Sequence, residues 1–364
     1  MNIKIGIVGL PNVGKSTLFN ALTKSAQADA QNFPFCTIDP NIGIVPVPDM
    51  RVDKLASIVN PERVQRSTVE FVDIAGLVAG ASKGEGLGNK FLSHIRECNA
   101  ICHVLRDFES SEIHHVAGKV DPKSDLEVIL TELILADLES VDRQIERVGR
   151  KAKTGDKDAK KELELLQKVK IALESNQLAS SLDISEEEEK FFHKFNLLTE
   201  KKFLVVANAS EDHFMYFNES DFRGKMSLRP EIPVLSVCAQ IESELVDLSD
   251  EEAHEFLAEI GTTKSGLENL IQKAFELLGL QSYFTAGVQE VRAWTIRKGA
   301  TAPQAAGEIH TDFEKGFIKA DVIAYEDFVQ YEGEGGAKEA GKMRMEGKTY
   351  IVKDGDVMHF KFNN

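Results

Sequence analysis

Residues 9–16 read Gly9-Leu10-Pro11-Asn12-Val13-Gly14-Lys15-Ser16 and follow directly on the apolar run Ile3-Lys4-Ile5-Gly6-Ile7-Val8. Two glycines allow a strand-to-helix turn to face its backbone N–H groups inward, and a helix opening near Ser16 points its positive end at the same place. Lys15 supplies a point charge for β and γ phosphates, while the Ser16 hydroxyl suits Mg²⁺. The pattern predicts nucleoside triphosphate binding.

Thr68 to Asp73 reads as a strand that ends on a carboxylate, followed by Ile74-Ala75-Gly76-Leu77. Asp73 then stands where it can hold Mg²⁺ directly or through a water, and the Gly76 N–H can sense the γ-phosphate. Thr37, in Asn32-Phe33-Pro34-Phe35-Cys36-Thr37, offers a second hydroxyl on a loop that can complete the metal's coordination. The alternative for Thr37 is an ordinary turn threonine. Position 77 normally carries the glutamine that orients water in a small GTP-hydrolysing switch, and here it is Leu77. Either hydrolysis is very slow, or water and charge are handled by other groups. Asn12 is one candidate, because an amide oxygen inside the loop could hold a monovalent cation against the phosphates; a turn-stabilising role is the alternative, and spacing does not separate the two. The run Gly80-Ala81-Ser82-Lys83-Gly84-Glu85-Gly86-Leu87-Gly88 reads as a second switch.

Base selection falls at Asn208-Ala209-Ser210-Glu211, after the strand Phe203-Leu204-Val205-Val206-Ala207. A guanine reader has Asn-Lys-x-Asp there, whose aspartate accepts from N1–H and the exocyclic amine. This chain lacks the lysine and carries Glu211. A carboxylate would face the adenine N1 lone pair, so adenine is favoured only if Glu211 turns away and amides read the N6 and N7 edge. Ser236-Val237-Cys238-Ala239 reads as a base-capping loop.

The elements that position these groups are legible in the pattern. Ala100 to Leu105, Phe203 to Ala207 and Pro233 to Ala239 read as strands, giving an α/β nucleotide domain over 1–107 and 202–280. Between them, 108–201 turns helical: Leu126, Ile129, Leu130, Leu133, Leu138, Val141 and Ile145 recur at helical spacing, and Leu163, Leu166, Val169 and Leu173 repeat it beyond Gly155-Asp156. An inserted antiparallel hairpin is predicted. Its tip is basic, with Arg143, Arg147, Arg150, Lys151, Lys153, Lys157, Lys160 and Lys161; RNA contact and a plain solvated face are both open. An acidic stretch from Glu231 to Glu259 has no Lys or Arg and reads as a solvated face. Over 281–364, strands at Val291–Ile296, Asp321–Tyr325 and Tyr350–Phe362 surround a helical Ala302–His310, with a tight hairpin signalled at Asp354-Gly355. The basic residues Lys338, Lys342, Arg344 and Lys348 suit either a phosphate backbone or solubility.

At 364 residues and 42% apolar composition, two or three packed domains are expected. A formal net charge of -16 excludes a general nucleic-acid coat or an anionic membrane surface, so any RNA contact is regional. Cys36, Cys98, Cys102 and Cys238 lack paired metal-ligand spacing and fit a reducing compartment. No charged leader precedes the N-terminal apolar run and no stretch approaches membrane length, so a cytoplasmic location is expected.

Together the segments at 9–17, 32–37, 73–77, 208–211 and the closing Phe284-Thr285-Ala286-Gly287 through Asp354-Gly355-Asp356-Val357 resemble the YchF family of Obg-like ATPases over essentially the whole chain. The resemblance implies a P-loop NTPase domain with an inserted helical hairpin and a C-terminal TGS domain of β-grasp type. It implies ATP preferred over or accepted beside GTP, hydrolysis without a catalytic glutamine, Mg²⁺ as cofactor with K⁺ as a stimulant, and ribosome association. Carried over by position, Asn12, Val13, Gly14, Lys15, Ser16 and Thr17 cradle phosphates; Ser16, Thr37 and Asp73 hold Mg²⁺; Asn208 and the Ala209 backbone lie at the base. Lys15, Gly76 and Asn12 form the expected catalytic set. The leading expectation is a slow, ribosome-associated, Mg²⁺-dependent ATPase switch contacting ribosomal RNA through the hairpin and C-terminal domain. Its rivals are an Obg-type GTPase in ribosome assembly and a nucleotide-gated RNA-binding scaffold.

Overall fold

A computed structural model describes residues 3–28, 41–74, 87–109 and 119–363. In chain order the first strands and helices are β1 (Lys4–Val8), α1 (Lys15–Ala28), β2 (Ile42–Pro46), α2 (Met50–Val59), β3 (Arg63–Gln65), β4 (Thr68–Asp73), α3 (Leu87–Glu97) and β5 (Ala100–Asp107). After the insertion come β6 (Lys202–Ala209) and β7 (Val234–Val237). One sheet has the order β2-β4-β1-β5-β6-β7, with β1, β5, β6 and β7 in parallel. Parallel strands need crossover connections and are covered on both faces, so they read as continuous apolar runs rather than alternating ones. Ile5, Ile7, Val104, Leu204 and Val206 are accordingly fully buried. Cys98 and Cys102 belong to this interior, and burial raises the Cys98 thiol to about 11. Groups at the C-terminal ends of such strands are where α/β sheets hold ligands.

The insertion is built on α4 (Pro122–Ala152) and α5 (Lys157–Glu174). Asp121 starts α4 by accepting from Ser124 N at 3.3 Å, with Pro122 at the first position, where its missing N–H costs no intrahelical bond. Thirty-one residues extend it about 46 Å. Gly155, at φ +93°, turns the chain, and Asp156 caps α5 through Asp158 N and Ala159 N at 3.0 and 3.1 Å. Val141, Val148, Leu166, Val169 and Leu173 form the seam, closed by Phe191 and Phe192 of α6 (Glu186–Phe192). Asp137, fully buried, accepts from Leu198 N, Thr199 N and Thr199 Oγ1 at 2.9, 2.8 and 2.7 Å, fastening the chain as it leaves the hairpin for β6. Burial pushes its carboxyl up and the three hydrogen bonds oppose that.

The second sheet, β11-β10-β12-β8-β9-β3, comprises β8 (Leu280–Ala286), β9 (Glu290–Arg297), β10 (Phe317–Ile323), β11 (Arg344–Glu346), β12 (Val357–Phe362) and β3. Tyr283, Ile296, Phe317 and Phe360 pack with the alanines of helix Ala302–Ile309 on one face. Phe284, Val291 and Val357 pack with Val52 and Leu55 of α2 and with Phe328 on the other. The chain separates into two compact units, Met1–Ile3 with Leu22–Glu70 and Leu267–Asn364, and Lys4–Ala21 with Phe71–Gly266. The structure thus groups α2 and β3 with the C-terminal residues: β3 pairs in parallel with β9, Val64 opposite Val291.

Two sequence expectations change here. The strand expected over Asp321–Tyr325 runs Phe317–Ile323, and Tyr325 instead opens helix Tyr325–Gln330, with Glu326 and Asp327 favouring its first turn. Asp354-Gly355 does form a turn, with Gly355 at φ +90°, but no hairpin closes around it. Ile351 bridges Thr301, whereas β12 pairs with β10 and β8. Asp354 Oδ1 accepts from Ser282 N at 3.0 Å and Gly355 N donates to Ser282 O at 2.9 Å, which ties the turn to β8.

Candidate functional site

The phosphate loop leaves β1 at Gly9, where an added Cβ would stand 2.7 Å from the Val104 carbonyl oxygen of β5. Only glycine lets the backbone pass that close. At Gly14 the backbone is left-handed, φ +89°, and a Cβ would lie 2.0 Å from Asn208 Nδ2. Asn12 is also left-handed at φ +64°, a conformation asparagine tolerates better than most residues. The helix begins at once, with Leu18 N donating to Gly14 O at 3.0 Å. The N–H groups of its first turn lack intrahelical acceptors and are available to an anion.

Lys15 is buried and its ammonium pairs with Asp73 Oδ1 at the end of β4. Ser16 Oγ lies 3.4 Å from Asp73 Oδ2. The sequence-derived phosphate lysine, metal hydroxyl and metal carboxylate therefore converge, although they come from positions 58 residues apart. Ile74 N donates to Ile7 O at 3.2 Å, which fixes the carboxylate-bearing strand end beside β1. A hydroxyl and a carboxylate at a phosphate-binding turn are a hard-oxygen donor set that fits Mg²⁺, whose remaining positions phosphate oxygens and waters fill. No cluster of three or more His, Cys, Asp or Glu that could hold a metal occurs among the described residues. Thr37, Gly76 and Leu77 lie outside the described residues.

Asn208 occupies the end of β6, 5% exposed, with both ends of its amide engaged. Its Nδ2 donates to Val13 O at 2.8 Å and its Oδ1 accepts from Ala239 N at 3.2 Å. The side chain thus joins the phosphate loop to the segment after β7 that reads as the base-capping loop. Ala209 is buried beside it. Ser210 accepts from His213 N at 3.4 Å and caps the short helix Glu211–Met215, leaving Glu211 as an exposed first-turn residue. Ser16 and Thr17 are exposed on α1, as is Asn12 on the loop.

The Ala239 N–H, the Val104 carbonyl and Asp137 escaped sequence reasoning. Backbone groups carry no residue signal, and a carboxylate within an apolar helical stripe was the one visible hint of Asp137. His103 was also missed: it lies fully buried on central β5, edge-on to Phe203 at 5.1 Å, and neither ring nitrogen has a hydrogen-bond partner. Burial lowers its imidazole to about 3, so it is neutral and apolar in effect. At the hairpin tip, Arg143, Arg147, Arg150, Lys151, Lys153 and Lys157 are all exposed.

Residues 4–168 match the family described as 50S ribosome-binding GTPase, and residues 280–363 match the YchF-GTPase C-terminal family, described as a protein of unknown function. The chain is 58% identical over 363 residues to the Ribosome-binding ATPase YchF of Haemophilus ducreyi, covering 100% of both chains. It is 55% identical over 366 residues to the Bacillus subtilis protein of that name, again covering 100% of both. Among solved structures it is similar to the Schizosaccharomyces pombe YchF GTPase at 40% identity and a TM-score of 0.89, over 99% of this chain and 98% of that one. No helix among the described residues is long and apolar enough to cross a membrane.

Proposed function

Because the chain belongs to the YchF family, we propose that it is a Mg²⁺-dependent nucleoside triphosphatase with a preference for ATP that works as a slow, ribosome-associated switch in the cytoplasm. The observation that carries this reading is the convergence of Lys15, Ser16 and Asp73 beneath a left-handed Gly14 turn. When bound, Mg²⁺ neutralises charge developing on the β and γ phosphate oxygens. The backbone of Asn12 to Thr17 wraps the phosphates, and Lys15 leaves Asp73 for them. Ser16, Asp73 and Thr37 are the residues that would hold the metal. Gly76 N–H would sense the γ-phosphate, and Asn12 would help hold a K⁺ ion supplying positive charge at the phosphates in a site where Leu77 replaces the usual glutamine. Asn208 fixes the loop, with the Ala209 backbone at the base.

Support for ATP comes from the missing lysine of Asn-Lys-x-Asp and from the exposed Glu211, which opens a short helix instead of lying in the sheet. The curated relatives are named ribosome-binding ATPases, which supports the ribosome as partner through the basic hairpin and the C-terminal domain. A GTPase in ribosome assembly is the second reading, favoured by the name of the fission-yeast relative. Titrating nucleotide-free protein with fluorescent ATP and GTP analogues decides between them: strong selectivity for GTP defeats the ATP assignment. Phosphate release measured with and without ribosomes, in K⁺ and in Na⁺, tests turnover, and no stimulation in any arm points to a non-hydrolysing RNA scaffold.

A further inference from the structure

β8 and β12 are neighbours in the second sheet, yet their parallel ladder holds a single register pair, Val357 with Phe284. β8 runs on to Ala286 and β12 to Phe362, and β12 stays paired with β10 to its end. β8 has only two residues beyond Phe284, so past Met358 the β12 edge opposite β10 has no strand beside it, and a wedge opens between the end of β8 and that edge. A cavity of about 490 Å³ fills that wedge, with Ala286, Gly287 and Val288 on one wall and Met358 and Phe360 on the other. That volume lies in the range of functional ligand clefts. Val288 is 73% exposed at its mouth.

The lining carries Glu290, Asp321 and Glu334 but no lysine or arginine. Among the described residues two of these acids have only distant cationic partners, Arg63 at 3.9 Å from Glu290 and Lys361 at 3.8 Å from Asp321. Glu334 makes no ion pair among the described residues. An open β12 edge, an apolar floor and a rim of one sign match an extended chain with alternating apolar and basic residues. A nucleic acid backbone, being anionic, is repelled by the same rim.

We propose that the wedge between β8 and β12 is a docking slot for an extended basic-apolar peptide segment of a partner protein, which inserts as an added strand. Main-chain hydrogen bonds to the open β12 edge supply affinity, and Glu290, Asp321 and Glu334 select lysine and arginine side chains.

The probe is a fluorescein-labelled synthetic peptide alternating Val or Ile with Lys or Arg, followed by anisotropy against the full chain. Controls are its sign-reversed counterpart with Asp and Glu and a backbone N-methylated version that cannot extend a ladder. A Cβ at Gly287 meets nothing closer than Glu290 O at 3.9 Å, so Gly287→Trp can block the mouth without straining the fold. Saturable binding of the basic peptide is expected, with losses of about tenfold or more on N-methylation, in G287W and in Glu290→Lys with Glu334→Lys. Circular dichroism of each variant establishes that it folds. Absent binding, equal binding of the acidic or N-methylated peptide, or wild-type affinity in both variants overturns the proposal. Displacement of the peptide by an RNA oligonucleotide that binds more tightly in E290K/E334K than in the wild type assigns the surface to nucleic acid and overturns it equally.

Discussion

Asn208 Nδ2 donates to the carbonyl oxygen of Val13 at 2.8 Å, and the atom that makes this bond occupies the space a Cβ on residue 14 would need. One amide thus braces the phosphate loop and dictates glycine in it. Asn208→Ala leaves Val13 O and Ala239 N without that partner, at a cost of about 1–3 kcal/mol for buried groups. Chemical denaturation should show that loss, and nucleotide affinity should fall with it by about tenfold. A variant that unfolds and binds like the wild type would show that the brace is dispensable.

The clash and the brace are separable by a double-mutant cycle. Gly14→Ala adds a methyl against Asn208 and forces an alanine to φ +89°, so it should destabilise the loop more than Asn208→Ala does. In Gly14→Ala with Asn208→Ala the steric part vanishes while the backbone strain stays. The double variant should therefore be more stable than the sum of the single losses predicts, with a coupling of about 0.5–3 kcal/mol. Strict additivity would mean that strain alone explains the glycine.

The Lys15 ammonium pairs with Asp73, yet a phosphate lysine and a metal carboxylate have distinct roles when one is removed. Lys15→Ala should abolish measurable phosphate release. Asp73→Asn should leave a folded protein whose binding of triphosphate has lost its dependence on Mg²⁺, read by titration in Mg²⁺ against EDTA. Leu77→Ala should change turnover far less than Lys15→Ala, because an alkyl group cannot polarise water. Comparable losses in those two variants would give position 77 a direct part in the chemistry.

The parts of this protein legible in its sequence are those whose information is local. Gly9, Gly14, Lys15 and Ser16 specify one turn, Asp73 announces itself at a strand end, and the leucines of α4 and α5 repeat at 3.6 residues. What escaped depends on distant partners. β3 is three residues long, too short for any period, and is a strand only because Val64 lies beside Val291. The Asp354-Gly355 pair has the composition of a hairpin, and two bonds with Ser282, one from its N to Asp354 and one from Gly355 N to its O, give the turn another task. The Asn208 side chain sits at the expected place, but its two partners are backbone atoms of residues 13 and 239, which no spacing rule connects.

His103 gives the site's central strand a pH signature. Its imidazole is held near 3 by burial, against about 6.5 in the unfolded chain, so between those values the unfolded state binds the extra proton. Stability from this group is complete above the unfolded pKa and falls as pH drops toward the folded one, by up to about 1.4 kcal/mol per pH unit. His103→Leu removes a titrating group with no hydrogen-bond partner. Denaturation midpoints of the variant at pH 7 should match or exceed those of the wild type, and its decline between pH 6.5 and 3 should be shallower than the wild-type decline. Parallel pH profiles would show that other groups control acid unfolding.

The hairpin tip tests the partner. Arg147, Arg150 and Lys151 end α4 in solvent, and the core seam below them at Val148 and Ala152 is independent of their charge. Reversing all three to Glu should therefore preserve the thermal transition and ATP affinity, since no phosphate-loop group is touched. If the tip meets ribosomal RNA, each lost phosphate contact lowers the salt dependence of binding as well as its strength. Cosedimentation with ribosomes across a range of KCl should then show both a weaker association and a flatter slope of log affinity against log salt. Weaker binding with an unchanged slope would place these residues against protein instead, and unchanged cosedimentation would remove the tip from the interface.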